Sequence, residues 1–234
     1  YSIQGEGAAV GRPMVFLRFA ECNLHCSFCD TDFSVRQVFE EPALIRKALE
    51  MLVPENTIVR DVCLTGGEPF LQAEFLITSL RRLHREEIHI AVDTSGFCRE
   101  EDLIEAARYT DLFLFDIKVI DPKKHAYYTG VSNLTILSNL RKLDDFLYAE
   151  RKGKINIRFP LIPGINDDHE NITATADLAA SLKSISGVNV LPYHSTGEGK
   201  YKNMGKKYKM GNVLPPDDKK VNETVKMFSD RNIE

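Results

Sequence analysis

Apolar residues along the chain fall alternately into short runs and into stretches with a helical period. Met14 to Phe19 has the β-branched and aromatic character of a strand, with a proline just before it. Pro42 opens a helix that carries Leu44, Ile45, Ala48, Leu49 and Leu52 on one face. The same reading predicts strands at Ile58 to Leu64, Ile88 to Val92, Leu112 to Phe115, Lys154 to Phe159 and Val188 to Leu191. Between them it predicts helices at Ala73 to Arg85, Glu100 to Arg108, Leu134 to Glu150 and Asp168 to Ser184. A last helix, from about Pro216, spaces Val221, Thr224, Val225 and Phe228 on one side.

Six strands alternating with helices imply a parallel sheet, because parallel neighbours need crossover connections. In such α/β sheets ligands sit beyond the C-terminal ends of the strands, so a motif that carries chemistry should follow a strand. No internal repeat, low-complexity stretch or linker composition divides the chain. We expect a single domain, with a barrel over about 12–192 and a C-terminal tail and helix over 193–234.

The 234 residues are 43% hydrophobic and 27% charged, as in an ordinary globular domain large enough for a substantial core. A net charge of −4 gives no reason to expect nucleic acid, and no apolar run is long enough to cross a bilayer. Lysine runs such as Lys206, Lys207 and Lys209 read as a solvated face. The chain opens on Tyr1 rather than a methionine, so we expect residues, and any targeting segment, ahead of it.

The five cysteines are an odd set, and three of them crowd into one short segment. That is a poor disulfide framework and a good metal or cluster signal in a reducing compartment. Cys63 sits in an apolar run and reads as a small buried hydrophobe, and Cys98 is given no role.

The segment Cys22-Asn-Leu-His-Cys26-Ser-Phe-Cys29 directly follows the first predicted strand. Three thiolates on one loop can hold three irons of a 4Fe–4S cube and leave the fourth iron open to a substrate. The rival is a structural zinc, closed by a fourth ligand such as His25. Gly66-Gly67-Glu68-Pro69 follows the second strand, where glycines allow close backbone approach and a carboxylate can support a cationic amine.

This CxxxCxxC loop resembles the cluster loop of the radical S-adenosylmethionine superfamily, and the glycine pair with Glu68 resembles that superfamily's GGE motif. The resemblance implies an incomplete (β/α)6 barrel, open on one side. It also implies a 4Fe–4S cluster on Cys22, Cys26 and Cys29, and S-adenosylmethionine chelated to the open iron. One-electron reduction then yields a 5′-deoxyadenosyl radical, and the protein supplies position and dryness. Phe28 matches the aromatic near the adenine.

Farther along, the chain resembles the glycyl-radical-enzyme activases, typified by the pyruvate formate-lyase activating enzymes. The matching segments are Leu71-Gln72-Ala73-Glu74-Phe75, Asp93-Thr94-Ser95-Gly96-Phe97, Asp116-Ile117-Lys118, Gly130-Val131-Ser132-Asn133, Pro163 to Asp168 and Leu191-Pro192-Tyr193-His194. A tail from Gly199 to Tyr208 follows in the same order. By that resemblance Lys118 pairs with the methionine carboxylate, beside Asp116 and Ile117. Arg158 and His194 complete the pocket, and Asp93, Thr94 and Asp116 help hold a monovalent cation. The implied partners are a glycyl-radical enzyme as protein substrate and a flavodoxin or ferredoxin-type electron donor, in the cytoplasm. A single cluster is expected.

The N-terminal third departs from this pattern. Ser2-Ile3-Gln4-Gly5-Glu6-Gly7 and Cys29-Asp30-Thr31 resemble 7-carboxy-7-deazaguanine synthase, in which the first segment contacts substrate and the threonine contacts magnesium. Under that resemblance Asp30 lies in the cofactor region and the substrate is a tetrahydropterin. Glu21 stands where the activases usually have glycine. Two enzyme readings therefore stand, an activase and a pterin-directed synthase. A non-catalytic iron–sulfur or zinc protein is a third.

Overall fold

A computed structural model describes residues 2–3, 13–29, 31, 38–52, 60–194, 210, 213–231 and 233. Six parallel strands run in sequence order across one sheet: β2 (Pro13–Phe19), β3 (Asp61–Gly66), β4 (His89–Thr94), β5 (Leu112–Asp116), β6 (Lys154–Leu161) and β7 (Ile185–Pro192). A two-residue strand, β1 (Ser2–Ile3), pairs antiparallel with β2 and makes a seventh strand that the sequence pattern did not show. Among the described residues β7 and β1 do not pair, so the barrel stays open on that side. An antiparallel strand on an otherwise parallel sheet is a common edge arrangement.

The helices are α1 (Glu41–Leu52), α2 (Ala73–Arg85), α3 (Glu100–Ala107), α4 (Pro122–Thr129), α5 (Leu134–Glu150), α6 (His169–Ala180) and α7 (Asp218–Ser229). The tight alternation of each strand separates two environments. Val15, Leu17, Val62, Leu64, Ile90, Val92, Phe113, Phe115, Ile155 and Ile157 face the helices and form the main core. Met14, Cys63, Ala91 and Leu114 point the other way and pack a second cluster with Phe16 and Leu112. Cys63 is thus the small buried residue expected of it.

Two departures have local causes. Helix α6 ends at Ala180, before Ser184, because the Asp144 carboxylate captures the backbone N–H groups of Lys183 and Ser184. Helix α4 was not anticipated. Asp121 caps it by accepting from the Lys124 N–H, Pro122 occupies its first turn, and Gly130 ends it in the left-handed conformation.

Candidate active site

The strands deliver their polar residues to one end. Arg18, Thr65, Asp93, Asp116 and Arg158 alternate with the outward apolar residues, so all lie on the inner face near the strand ends. There they line a cavity of about 1420 Å³ that also receives Cys22, Cys26, Cys29, Phe28, Thr94, Lys118 and His194. The volume exceeds an ordinary small-molecule pocket of roughly 300–1,000 Å³ and leaves room for more than one ligand.

Its charges are interlocked. Arg158 donates to Asp93 Oδ2 at 2.6 Å, and the Thr65 hydroxyl donates to the same oxygen at 2.7 Å. Arg158 Nε lies 3.1 Å from Asp116 Oδ1, an ion pair too bent for a hydrogen bond. Lys118 donates to Asp116 Oδ2 at 2.7 Å. Burial opposes the charge on Lys118, but the Asp116 carboxylate beside it outweighs that and raises its pKa. Burial raises the Asp93 carboxyl above its ordinary range, helped by the neighbouring Asp116 charge, whereas Arg158 and Lys118 hold Asp116 below it. The result is a cationic lysine and a linked acid pair facing one cavity.

Three buried asparagines fix the chain just beyond Lys118. Asn166 donates to the Lys118 carbonyl at 2.7 Å and accepts from the Ile162 N–H. Asn133 donates to the carbonyls of Val119 and Ile120, and Asn171 accepts from the Ile120 N–H.

The cysteine loop leaves β2 and is held on both sides. His25 and Ser27 donate backbone N–H groups to the carbonyls of Thr129 and Tyr128 on α4, and Asn23 donates its side-chain amide to the Phe97 carbonyl. All five cysteines are free thiols. Burial pushes the Cys26 thiol up to about 12, and the nearby Cys29 and Cys22 sulfurs add to that while Lys118 opposes it. His25 is exposed, and no group of three or more His, Cys, Asp or Glu among the described residues converges on one ion. That spacing disfavours a closed zinc tetrahedron through His25.

The glycine pair has a structural duty that differs from the ligand approach expected of it. A β-carbon on Gly67 would lie 1.6 Å from the Glu21 carbonyl oxygen, and one on Gly66 would lie 2.2 Å from that of Phe19. Their neighbours are joined to the loop by hydrogen bonds from Gly67 N to Phe19 O and from Glu68 N to Glu21 O. Both glycines do line the cavity. Glu68 is a correction: it is fully buried and absent from the cavity wall. Its carboxylate accepts from the Thr94 hydroxyl, the Ser95 hydroxyl and N–H, and the Phe70 N–H, leaving it no room for a ligand amine. Ile117 is also a correction, since it is buried in the main core rather than on the cavity wall.

Phe28, Asp93, Thr94, Asp116, Lys118, Arg158 and His194 therefore meet around one cavity, as does Thr31. Asp30, Gln4, Glu6 and the Gly199–Tyr208 tail lie outside the described residues. Sequence reasoning missed Arg18 and Thr65; their inward parity on β2 and β3 was the available signal. Arg18 faces the cavity and makes one ring contact, with Phe16 at 5.4 Å.

A family model described as the radical SAM superfamily matches residues 18–176. This chain belongs to the radical SAM superfamily. It is 33% identical to a pyruvate formate-lyase-activating enzyme of Staphylococcus epidermidis, over 97% of this chain and 93% of that one. A trans-4-hydroxy-L-proline dehydratase activating enzyme of Clostridioides difficile is 38% identical over 73% of this chain and 56% of its own length. Among solved structures, a domain of a pyruvate-formate lyase-activating enzyme from Bacteroides vulgatus superposes with a TM-score of 0.60 at 32% identity, covering 74% of this chain and 95% of that one. Within the radical SAM superfamily, the chain thus belongs with the activating enzymes.

Radical SAM membership implies a 4Fe–4S cluster and S-adenosylmethionine. The donor set fits the first: three free, half-buried thiols border the cavity, and soft thiolates are the ligands that iron–sulfur clusters take. Lys118 and the Asp93–Asp116–Arg158 set fit the second, because a zwitterionic methionine end needs both charges. No helix of the described residues is long and apolar enough to cross a membrane.

Proposed function

We propose that the protein is an activase that abstracts hydrogen from a glycine of a partner enzyme and leaves a glycyl radical there. The observation that carries this reading is the strand-end set of Cys22, Cys26, Cys29, Lys118 and Arg158 around one open cavity, in a chain related over nearly its whole length to a pyruvate formate-lyase-activating enzyme. When bound, the cluster and S-adenosylmethionine supply a 5′-deoxyadenosyl radical as the hydrogen acceptor.

The chain's own residues bind, orient and shield. Cys22, Cys26 and Cys29 hold three irons, and the α4 carbonyls fix the loop that carries them. Lys118, kept protonated by Asp116, offers its ammonium to the methionine carboxylate, and Arg158 and His194 close the same side. Phe28 packs against Val119, Ile162, Ile165 and Tyr193 and presents an apolar wall for the adenine. Asp93, Thr94 and Asp116 supply hard oxygens suited to a monovalent cation. The gap between β7 and β1 admits an extended loop of the partner. A flavodoxin or ferredoxin-type protein in the cytoplasm supplies the electron.

A pterin-directed synthase is the second reading. It is favoured by Thr31 on the cavity wall, where it could meet a magnesium ion, and by β1, which brings the start of the Ser2–Gly7 segment to the barrel edge. Anaerobic turnover with each substrate offered separately tests the two readings. The activase reading requires a glycyl radical signal on the partner.

A further inference from the structure

The segment from Pro163 to Asp168 has no side chain with a task in the cavity. Its Asn166 is fully buried and absent from the cavity wall, yet it is bonded to Lys118, which lines that wall.

Strand β5 ends at Asp116, while β6 runs on to Leu161 beside β7. The last rung between β5 and β6 is the Ile117 N–H donating to the Arg158 carbonyl at 3.0 Å. Successive carbonyls alternate sides along a strand, so Pro160 presents its own to the side of Arg158's, where β5 has already ended. The Asn166 amide fills that place. It donates to Pro160 O at 2.5 Å and to Lys118 O at 2.7 Å, and its oxygen accepts from the Ile162 N–H at 2.7 Å. One side chain spends both donor hydrogens and its acceptor on joining two chains that the sheet no longer joins. Asn171 steadies it in turn, donating its amide to the Asn166 carbonyl at 3.0 Å.

Lys118 carries its charge on a flexible four-carbon stem, so its ammonium is fixed only if both ends of the stem are. Asp116 holds the ammonium at 2.7 Å, and Asn166 holds the backbone from which the stem hangs. Asn133 and the Asn171 oxygen act farther along, on Val119 and Ile120. We propose that Asn166 is the positioning residue for Lys118, fixing the root of the lysine so that its ammonium meets the methionine carboxylate of S-adenosylmethionine. Because Asn166 does not reach the cavity, its effect on binding passes through the lysine. The proposal rests on the role given to Lys118.

The test is titration calorimetry of S-adenosylmethionine into the reconstituted full chain, across a double-mutant cycle of Asn166→Ala and Lys118→Ala. Asn166→Ala should load iron and sulfide like the parent and bind S-adenosylmethionine on the order of tenfold more weakly, as a displaced charge does. In the Lys118→Ala background the same substitution should change the affinity by less than about twofold, because no lysine is left to place. A residue that only steadied the fold would weaken binding equally in both backgrounds. That result would overturn the proposal, as would parent-like affinity in Asn166→Ala. If Asn166→Ala does not load its cluster, Asn166→Ser, which keeps one donor, takes its place in the cycle with the same non-additivity expected. Loss of the cluster in both variants would also overturn the proposal, since it marks a residue that holds the fold rather than the lysine. Failure of the role given to Lys118 looks different: Lys118→Ala alone would then bind like the parent.

Discussion

The carbonyl oxygen of Glu21 stands 1.6 Å from where a β-carbon on Gly67 would have to be. The turn after β3 and the start of the cysteine loop after β2 are therefore packed backbone against backbone, locked by the Glu68 N–H to Glu21 carbonyl bond at 2.9 Å. Gly67→Ala must push the cysteine loop away. The variant should lose most of its iron on reconstitution, measured as iron and sulfide per chain. Gly164→Ala is the control: nothing lies within 4 Å of its added carbon, and its left-handed backbone costs only about 1–2 kcal/mol of stability.

Glu21 has φ of 66°, a left-handed conformation that L side chains resist. Glycine adopts this conformation freely, so this chain, with glutamate there, meets it with strain. Glu21→Gly relieves about 1–2 kcal/mol of strain and gives back about 0.5–1 kcal/mol in unfolded-chain entropy. The net expectation is a small stabilisation, of about 0.5–1 kcal/mol, read from the denaturation midpoint.

Burial raises the pKa of Glu68 although four donors pull it down. The folded state then holds this proton more tightly than the unfolded chain does. The stability linked to it is present at pH below the ordinary carboxylate value and is lost as pH rises through the folded value. Glu68→Gln should flatten that part of the stability profile. It also sets an amide donor against the Ser95 N–H or its neighbours, which should cost about 1–3 kcal/mol. Denaturation across pH checks both effects, and an unchanged midpoint would contradict a structural role for the Glu68 carboxylate among its four donors.

Lys118→Ala should leave the cluster in place and weaken S-adenosylmethionine binding by on the order of 2–4 kcal/mol, because the methionine carboxylate and Asp116 both lose a buried cation. Titration calorimetry on the reconstituted variant measures this. Unchanged affinity would remove Lys118 from the pocket.

Much of the scaffold was legible because its signal is local. The helix at Ala73–Arg85 and the helix at Leu134–Glu150 have the bounds their apolar spacing predicted. Helix α4 escaped because it buries only His125 and Thr129, too thin a face to show as periodicity. The motif residues on the cavity wall were marked by the family resemblance, with their order after successive strands in agreement. The role of Glu68 was not, since its partners Thr94 and Ser95 lie 26 and 27 residues away and only the fold brings them to it. Arg18 was hidden because one charged residue inside an apolar strand reads as an edge feature until its inward parity is known.

The most direct test of the central claim is anaerobic turnover with S-adenosylmethionine, a reductant and a glycyl-radical enzyme such as pyruvate formate-lyase, followed by electron paramagnetic resonance. The account predicts a glycyl radical on the partner, formed together with 5′-deoxyadenosine and lost in Cys26→Ala. Strong stimulation of 5′-deoxyadenosine formation by a tetrahydropterin, with no radical on any glycyl-radical enzyme offered, would contradict it.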